Sequence, residues 1–239
     1  MSQDGNAAQR ALSDPAVHAS LGGILRAARL DRGKTQRQVA AEAGVSVGLI
    51  GQFETGRTKP SVATLLSVAR VLALSLDELF TDGEPVAAPP QSPQRPDDRT
   101  PAWSSLEGRV ARAGQRDVIT LEGGVTWELL TPEVDHELTF MLVTYPPGSS
   151  SSPSAQLLRH DDFEYFYILR GKLHVKVGFE ETVLGAGDAM SFDSSRPHKF
   201  ENRSRSVTAT GLWSVRNKAE EQRSQWGERQ RQGSRNADG

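Results

Sequence analysis

Three side chains in the second half of this 239-residue chain have the types and spacing of a metal site. His160 and Glu164 are separated by an even number of positions, so both face the same side of an extended strand. In a closed barrel that side is the interior, where His198 can reach them from a distant strand. Two histidines and one carboxylate form the triad that holds divalent iron with open positions, and the same set suits Zn, Mn or Ni.

A second interpretation of these residues needs no metal. In that case the three groups hydrogen-bond an organic ligand or one another inside the barrel. Because the chain has no cysteine, thiolate metal sites and disulfides are excluded, and any metal must be bound by His, Asp or Glu. Phe166 and Met190 have the same strand parity as the site residues of their strands and are predicted either to line the ligand cavity or to pack in the core. Asp161 and Asp162 are predicted to lie in a solvated turn.

The segment from 103 to 216 has the pattern of a β domain that would position these groups. Short apolar stretches with a period near 2 alternate with turns rich in Gly, Pro and Ser. The predicted strands are Val118–Leu121, Thr126–Leu130, Leu138–Tyr145, Phe163–Leu169, Leu173–Val177, Ala189–Phe192 and Val207–Val215. Seven or more short strands indicate a sandwich or a closed barrel. A polar tail is predicted at 217–239.

Two intervals in this segment resemble the signature motifs of the cupin family. Six residues separate Glu164 from Gly171, and three separate His198 from Asn202. The resemblance implies a double-stranded β-helix, or jelly-roll barrel, of the kind that pairs through its sheets. One customary metal ligand is missing, because Leu158 stands where the first histidine of the family's His-x-His pair belongs.

The stretch Lys34–Pro60 predicts two short helices joined at a sharp turn. Thr35 and Gln38 have the spacing of a capping box at the start of the first helix. Gly44 permits the positive φ that such a turn can require, and Ser46 is a suitable N-cap for the second helix. A pair of helices joined in this way places one of them outward, against a nucleic-acid groove.

Helical periodicity extends on both sides of this stretch and defines an N-terminal domain at 17–80. We predict a five-helix bundle, with one helix before the pair and two after it. Residues 1–16 are predicted to form a disordered arm. The segment 81–102 contains six prolines and is predicted to be an extended linker. The fold class is therefore a multidomain α plus β protein.

From Thr35 onward, the pattern TQxxxAxxxGVSxxxIxxxExG followed by KPS resembles the xenobiotic-response-element and phage-repressor helix-turn-helix family. The resemblance implies that the second helix enters the major groove of operator DNA. It assigns phosphate contacts at the helix N-termini to Gln36 and Ser46, and base contacts to Val47, Gly48 and Gln52. It assigns contacts with the adjacent DNA backbone to Thr55, Arg57 and Lys59. Few of these groups can distinguish bases, so a homodimer on a palindromic operator is expected.

The charge distribution supports this division of labour. The whole chain has a net charge of −2, but residues 17–80 carry eight Lys and Arg against five Asp and Glu, whereas residues 103–216 carry twelve against fifteen. Excess positive charge therefore lies where phosphates would bind. The first twenty residues lack a signal-like apolar core, and the most apolar run, Leu65–Leu76, is too short to cross a bilayer. We expect a cytoplasmic protein without a membrane partner.

Two functions from different classes are compatible with these patterns. The first is a DNA-binding transcriptional regulator, not an enzyme, whose cupin domain senses a small-molecule effector. The alternative is a mononuclear non-heme iron cupin enzyme resembling hydroxypropylphosphonate epoxidase, which also has a helical domain before its barrel. In that case the triad binds Fe(II) and the helical domain serves assembly. The DNA-contacting pattern in the hinge region favours the regulator.

Overall fold

The computed structural model describes residues 15–80, 109–132, 138–152 and 157–218. The predicted linker at 81–102 lies outside the described residues, as do most of the predicted arm at 1–16 and of the predicted tail at 217–239. The first helix begins at Pro15, and the last strand ends at Asn217. None of the described helices has the length and apolar character needed to span a bilayer.

The N-terminal domain contains four α-helices and one short 3-10 helix. They are α1 Pro15–Asp31, α2 Gln36–Ala43, α3 Val47–Glu54, α4 Val62–Val71 and the 3-10 helix Asp77–Phe80. The helical bundle expected from the sequence is confirmed. Its fifth helix is a single 3-10 turn of four residues.

Local capping explains why α2 and α3 begin and end where they do. The backbone N–H of Gln38 donates to Thr35 Oγ1, while Gln38 Oε1 accepts from the Thr35 N–H, which completes the predicted capping box. Gly44 ends α2 at φ 72°, in the left-handed region that glycine tolerates. Ser46 Oγ then accepts from the Leu49 N–H and starts α3.

A buried ion pair joins α1 to the end of α3. Arg29 Nε donates to Glu54 Oε1 at 2.6 Å, and Arg29 Nη2 donates to Oε2 at 2.9 Å. Gln36 Nε2 at the start of α2 donates to the same Oε2 at 2.9 Å. Burial alone would raise the pKa of Glu54, but the hydrogen bonds from Arg29 and Gln36 outweigh it and hold that pKa below its ordinary value. The orientation of α3 is therefore fixed by contacts from two other helices, α1 and α2.

The described residues of the C-terminal domain form nine strands in two antiparallel sheets. They are β1 Val118–Thr120, β2 Thr126–Leu129, β3 Leu138–Tyr145, β4 Asp162–Arg170, β5 Lys172–Val177, β6 Glu180–Gly185, β7 Ala189–Asp193, β8 His198–Glu201 and β9 Ala209–Asn217. One sheet has the order β1-β2-β3-β9-β4-β7, and the other has the order β6-β5-β8. Buried side chains alternate along β3, β5 and β9, so the core lies between the sheets.

All seven predicted strands are present, and two further strands were not predicted. β6 was missed because its first four residues are exposed, so it lacks the alternation that marks a half-buried strand. β8 was missed because it has only four residues and follows a turn containing Ser and Pro. It nevertheless carries His198, one of the three predicted metal ligands.

The N-terminal end of α4 rests on the barrel. The Ala63 N–H donates to the Ser151 carbonyl at 3.0 Å, and the Glu122 N–H donates to the Pro60 carbonyl at 2.9 Å. Ala63 lies in the first turn of α4, whose leading N–H groups have no partner within the helix. A barrel carbonyl thus supplies part of the cap of a helix in the other domain.

Candidate metal centre and nucleic-acid interface

The structure brings the three predicted metal ligands together between the two sheets. His160 lies two residues before β4, Glu164 lies within β4, and His198 begins β8 in the opposite sheet. One donor atom from each lies within 4.8 Å of the others. Glu164 and His198 are 3% and 0% exposed, so the cluster is almost completely shielded from bulk water.

Both histidines present a ring nitrogen of the same kind to the carboxylate. His198 Nδ1 lies 2.9 Å from the Arg196 carbonyl and must donate to it, which leaves Nε2 with a lone pair. His160 Nδ1 lies 2.8 Å from Asp162 Oδ2, the arrangement that gives the same tautomer. The two Nε2 atoms lie 2.8 Å and 3.3 Å from Glu164 Oε1. A bound proton or a cation is needed to join acceptors placed so close together.

The pKa values of His160 and Glu164 also favour a positive charge between these acceptors. Burial alone would lower the pKa of His160, but its hydrogen bonds with Asp162 and Glu164 outweigh burial and raise the pKa to about 9. Burial alone would raise the pKa of Glu164, but the two histidines hold it well below its ordinary value. An anionic carboxylate and a positive charge between its neighbours are therefore the favoured state.

The surrounding groups fit a divalent metal. His198 Nε2 is buried and has no hydrogen-bond partner among the described residues, so its lone pair is available as a ligand. Trp213 Nε1 donates to Glu164 Oε2 at 3.1 Å, and Ser194 Oγ donates to Oε1 at 3.1 Å. Together with Asp162 on His160, these contacts orient the ligands in the manner of a second coordination shell.

A small cavity of about 30 Å³ adjoins the triad. Most of its wall is apolar or aromatic and comes from the barrel, including Trp127, Met141, Tyr145, Leu158 and Trp213. Leu158, which replaces the customary fourth ligand, is 3% exposed. That side of the cluster is therefore apolar, and a metal bound by the triad would keep open coordination positions.

Phe166 and Met190, the two residues predicted to contact a ligand, do not line the cavity beside the triad. Phe166 belongs to the aromatic core, where it stacks on Trp213 with ring centroids 4.6 Å apart. Met190 pairs with Phe166 across β4 and β7. Neither is among the described residues that line the cavity. Strand parity placed Phe166 on the correct face but could not show that neighbouring aromatic rings fill the space around it.

Sequence analysis missed two side chains that hold the triad. Asp162 begins β4 and hydrogen-bonds His160, so the prediction of a solvated turn there was wrong for this residue. Its even spacing from both His160 and Glu164 was an available signal. Trp213 in β9 hydrogen-bonds Glu164, a contact that depends on the pairing of β4 with β9 and that no local pattern indicates.

The predicted base-contacting residues lie together on the outer side of α3. Val47, Gly48 and Gln52 are exposed, whereas Ile50 and Phe53 are buried against the other helices. The Thr58 hydroxyl donates to Gln52 Oε1 at 3.1 Å. This hydrogen bond orients the one amide on this face that can distinguish bases.

Some of the predicted phosphate-contacting side chains are exposed, whereas others are already hydrogen-bonded or partly buried within the protein. Arg57 is exposed. Gln36 donates to Glu54, and the Thr55 hydroxyl donates to the Gly51 carbonyl at 2.8 Å. Ser46 Oγ accepts from Leu49 but keeps its own O–H available for a phosphate. Lys59 is half-buried, and burial lowers its pKa.

Two segments of the chain match known families. Residues 25–79 match the helix-turn-helix family, and residues 141–215 match the cupin domain family. The chain is 25% identical over 181 residues to the HTH-type transcriptional regulator PuuR of Escherichia coli (strain K12), which covers 75% of this chain and 85% of PuuR. It is 42% identical over 55 residues to the uncharacterized HTH-type transcriptional regulator YazB of Bacillus subtilis (strain 168), covering 23% of this chain and 80% of YazB.

A solved structure has a similar arrangement of both domains. The crystal structure of an HTH_3 family transcriptional regulator from Vibrio cholerae superposes with a TM-score of 0.56 and 20% sequence identity, covering 85% of this chain and 99% of that one. At this level of identity the similarity concerns the fold. It confirms the expected combination of a helical domain and a barrel in one chain.

Proposed function

We propose that this chain is a ligand-responsive regulator of operator DNA, because it matches the helix-turn-helix and cupin domain families and is similar to named HTH-type transcriptional regulators. The observation that carries the proposal is the presence of two separate sites in one chain. The outer side of α3 is exposed at Val47, Gly48 and Gln52, while the barrel encloses a cavity beside two histidines and a carboxylate.

In the DNA complex, α3 lies in the major groove. Gln52 contacts a base edge through its amide, and Val47 contacts a thymine methyl group. Ser46 and the backbone N–H of Gln36 bind phosphates at the helix N-termini, and Arg57 binds the adjacent backbone. The hydroxyl of Thr55 and the half-buried Lys59 contribute less, since the first is already engaged and the second is partly covered by neighbouring side chains.

The operator-bound form is a homodimer that pairs through the outer face of the large sheet. Tyr165 and Tyr167 are each 43% exposed in the middle of this face. They lie beside Ser214 and Leu212 of β9, which pair in turn with Phe140 and Leu142 of β3. An apolar and aromatic patch at the centre of a sheet suits self-association about a two-fold axis, and two copies supply two half-sites.

The barrel binds a divalent metal through His160 Nε2, Glu164 and His198 Nε2, and then a small-molecule effector. Fe, Zn, Mn and Ni are all compatible with this ligand set. When bound, the metal supplies open coordination positions for an effector group. The chain's own residues orient the site, with Asp162 and the Arg196 carbonyl holding the imidazoles and Trp213 holding the carboxylate.

The test is a fluorescence-anisotropy titration of the full-length protein against its own upstream DNA at two salt concentrations. We expect tight binding that weakens steeply with salt, by a factor set by the number of phosphates that the protein neutralises. Arg57→Ala should weaken binding and reduce the salt slope by about 1, because one phosphate is then no longer neutralised. The matched control is Arg205→Ala, which removes an exposed arginine from the barrel and should leave both unchanged.

Two outcomes of the titration would overturn the regulator. One is equal affinity for upstream and unrelated duplexes, and the other is an Arg57→Ala variant that binds like the wild type. The triad is also compatible with the enzyme alternative, because an iron-dependent oxidase uses the same ligand set. Turnover of dioxygen by the iron-loaded protein with an organic substrate, abolished in Glu164→Gln, would favour that alternative.

A further inference from the structure

The cavity beside the triad is lined on one side by the DNA-binding domain. Opposite the barrel wall, its lining consists of Val62 and Leu66 from α4 and Leu76 from the loop that follows α4. Val62 is 4% exposed, and Leu66 and Leu76 pack against the common core. We refer to these three apolar side chains as the lid residues.

In the docked arrangement the cavity is too small for an organic effector. Its volume is about 30 Å³, which suits a metal ion or a few water molecules. Pockets that bury small organic ligands usually measure about 300 Å³ or more. An effector that reaches the triad must therefore enlarge the cavity by displacing part of its wall.

The barrel residues that line the cavity are not the ones that an effector displaces. Phe166 stacks on Trp213 at 4.6 Å between ring centroids, and Phe200 packs edge-on against Trp213 at 5.4 Å. Opening a space there would break the close packing of the folded core. On the opposite side, separating two domains opens the cavity and leaves each core intact.

A short path of hydrogen bonds also connects the triad to α4. Two residues beyond His198 in β8, the Phe200 carbonyl accepts from the Ser151 N–H at 2.9 Å, and the Phe200 N–H donates to Ser151 Oγ at 3.0 Å. The Ser151 carbonyl accepts from the Ala63 N–H in α4 at 3.0 Å. The strand that carries a metal ligand and the helix that closes the cavity are thus joined through one serine.

We propose that α4 is the lid of the effector site and that effector binding displaces the DNA-binding domain from the barrel. The inference rests on the proposed function, and it adds how the signal passes between the domains. The operator binds the docked and the undocked arrangements with different affinity, because the two place α3 differently relative to the dimer axis. Linkage then requires that the effector changes operator affinity and that the operator changes effector affinity by the same factor.

The chemistry of the opened site selects the class of effector. Lid and barrel present apolar and aromatic side chains, which favour an apolar body. A divalent cation held by one carboxylate and two neutral imidazoles keeps a net positive charge, which favours an anionic donor group. The effector class is therefore a small molecule with an apolar chain and a single carboxylate or similar anionic group.

The first test uses the absence of cysteine from the chain, which makes an engineered thiol the only one present. Val143→Cys reports from the cavity wall and Val175→Cys from the core of the small sheet, and both positions are 2% exposed. In the full-length protein both thiols should react slowly with a maleimide. Leu66→Glu places a charge in the lid and should accelerate labelling at Val143→Cys at least about tenfold, a shift in opening equilibrium of about 1.4 kcal/mol.

The control at Val175→Cys decides what that acceleration means. Selective acceleration at Val143→Cys supports the lid, and Leu76→Glu should reproduce it. Equal labelling of Val143→Cys with and without both lid substitutions would overturn the proposal. Acceleration at both reporter positions would overturn it as well, because it would mean that the barrel unfolds instead of the domains separating.

The coupling and the effector class have their own readouts. Saturating operator DNA should change the labelling rate of Val62→Cys, a reporter on the lid itself, and an unchanged rate would overturn the coupling. Straight-chain carboxylates from acetate to octanoate should accelerate this labelling in order of chain length, and a flat response would overturn the assigned class. A chain that opens its lid selectively but shows no operator preference would instead refute the regulator and leave the lid in place.

Discussion

Glu54 in the helical domain and Glu164 in the barrel have side chains buried to a similar degree, yet the two carboxylates have different surroundings. The side chains of Glu54 and Glu164 are 4% and 5% exposed. Glu54 accepts hydrogen bonds from Arg29 and Gln36, which are permanent donors. Glu164 also accepts from Trp213 and Ser194, but its Oε1 additionally faces the Nε2 atoms of two histidines.

The difference separates a structural carboxylate from a binding one. Every donor on Glu54 carries its hydrogen in all conditions, so the pair is complete and holds α3 in place. At Glu164 the Nδ1 atoms of both histidines are already engaged, and His198 Nε2 is buried without a hydrogen-bond partner among the described residues. Burial alone does not identify a site, whereas a convergence of buried acceptors indicates that a cation is to be bound.

The largest effect is expected from removing a ligand of the triad. Glu164→Ala or His160→Ala should lower the affinity for divalent metal at least about hundredfold, since each removes a ligand and not merely an outer-shell group. His174→Ala, in the middle of β5, is the matched control and should leave metal content unchanged. Metal analysis of the purified proteins measures this, and equal metal in His160→Ala and wild type would refute the triad.

Removing the carboxylate of Glu54 is expected to lower the stability of the helical domain strongly without changing metal affinity. Glu54→Ala leaves Arg29 buried without its partner and should reduce the free energy of unfolding of the helical domain by about 3 kcal/mol. Glu42→Ala removes an exposed partner of Lys34 and should cost less than about 1 kcal/mol. Urea titration followed by circular dichroism compares the two, and equal costs would show that the buried pair has no special role.

The free energy of unfolding should depend more strongly on pH in wild type than in Glu54→Gln. Its pKa is lowered by folding from 4.5, so its contribution is fully present above that value and disappears as pH falls through the folded pKa. Wild type should therefore lose more stability than Glu54→Gln between about pH 5 and pH 3. Urea titrations at several pH values test this, and parallel curves for the two proteins would argue against the assigned ion pair.

A smaller effect is expected from the group that orients His160. Asp162→Asn keeps the side-chain volume but weakens the hold on Nδ1, and it should reduce metal affinity about tenfold. Asp161→Asn is the neighbouring control, because the Asp161 side chain is 86% exposed. Competition with a chromogenic chelator resolves this difference. Equal losses in both variants would indicate a general charge effect.

The helical domain was largely predictable because its signals are local. The capping box of Thr35 and Gln38, the left-handed Gly44 and the Ser46 cap each depend on neighbours within a few residues. Glu54 was visible in the motif, but its partner Arg29 lies 25 residues away. No local pattern links them, so the ion pair emerged only from the folded structure.

The barrel was predictable only where period or motif spacing carried the information. Strand parity correctly placed His160 and Glu164 on one face, and the interval to Asn202 pointed to His198. Contacts between strands that are distant in sequence left no such trace, as in the hydrogen bond from Trp213 to Glu164. Helical periodicity also could not show that Leu66 of α4 lines a cavity shared with the barrel.

The central claim is that α3 recognises operator DNA in a chain whose barrel carries a separate binding site. Its most direct test is the anisotropy of wild type and Gln52→Ala with upstream and unrelated duplexes at one salt concentration. Wild type should prefer the upstream duplex, and Gln52→Ala should lose about tenfold of that preference per half-site while binding unrelated DNA as before. A wild-type protein without preference, or a Gln52→Ala variant with unchanged preference, would contradict it.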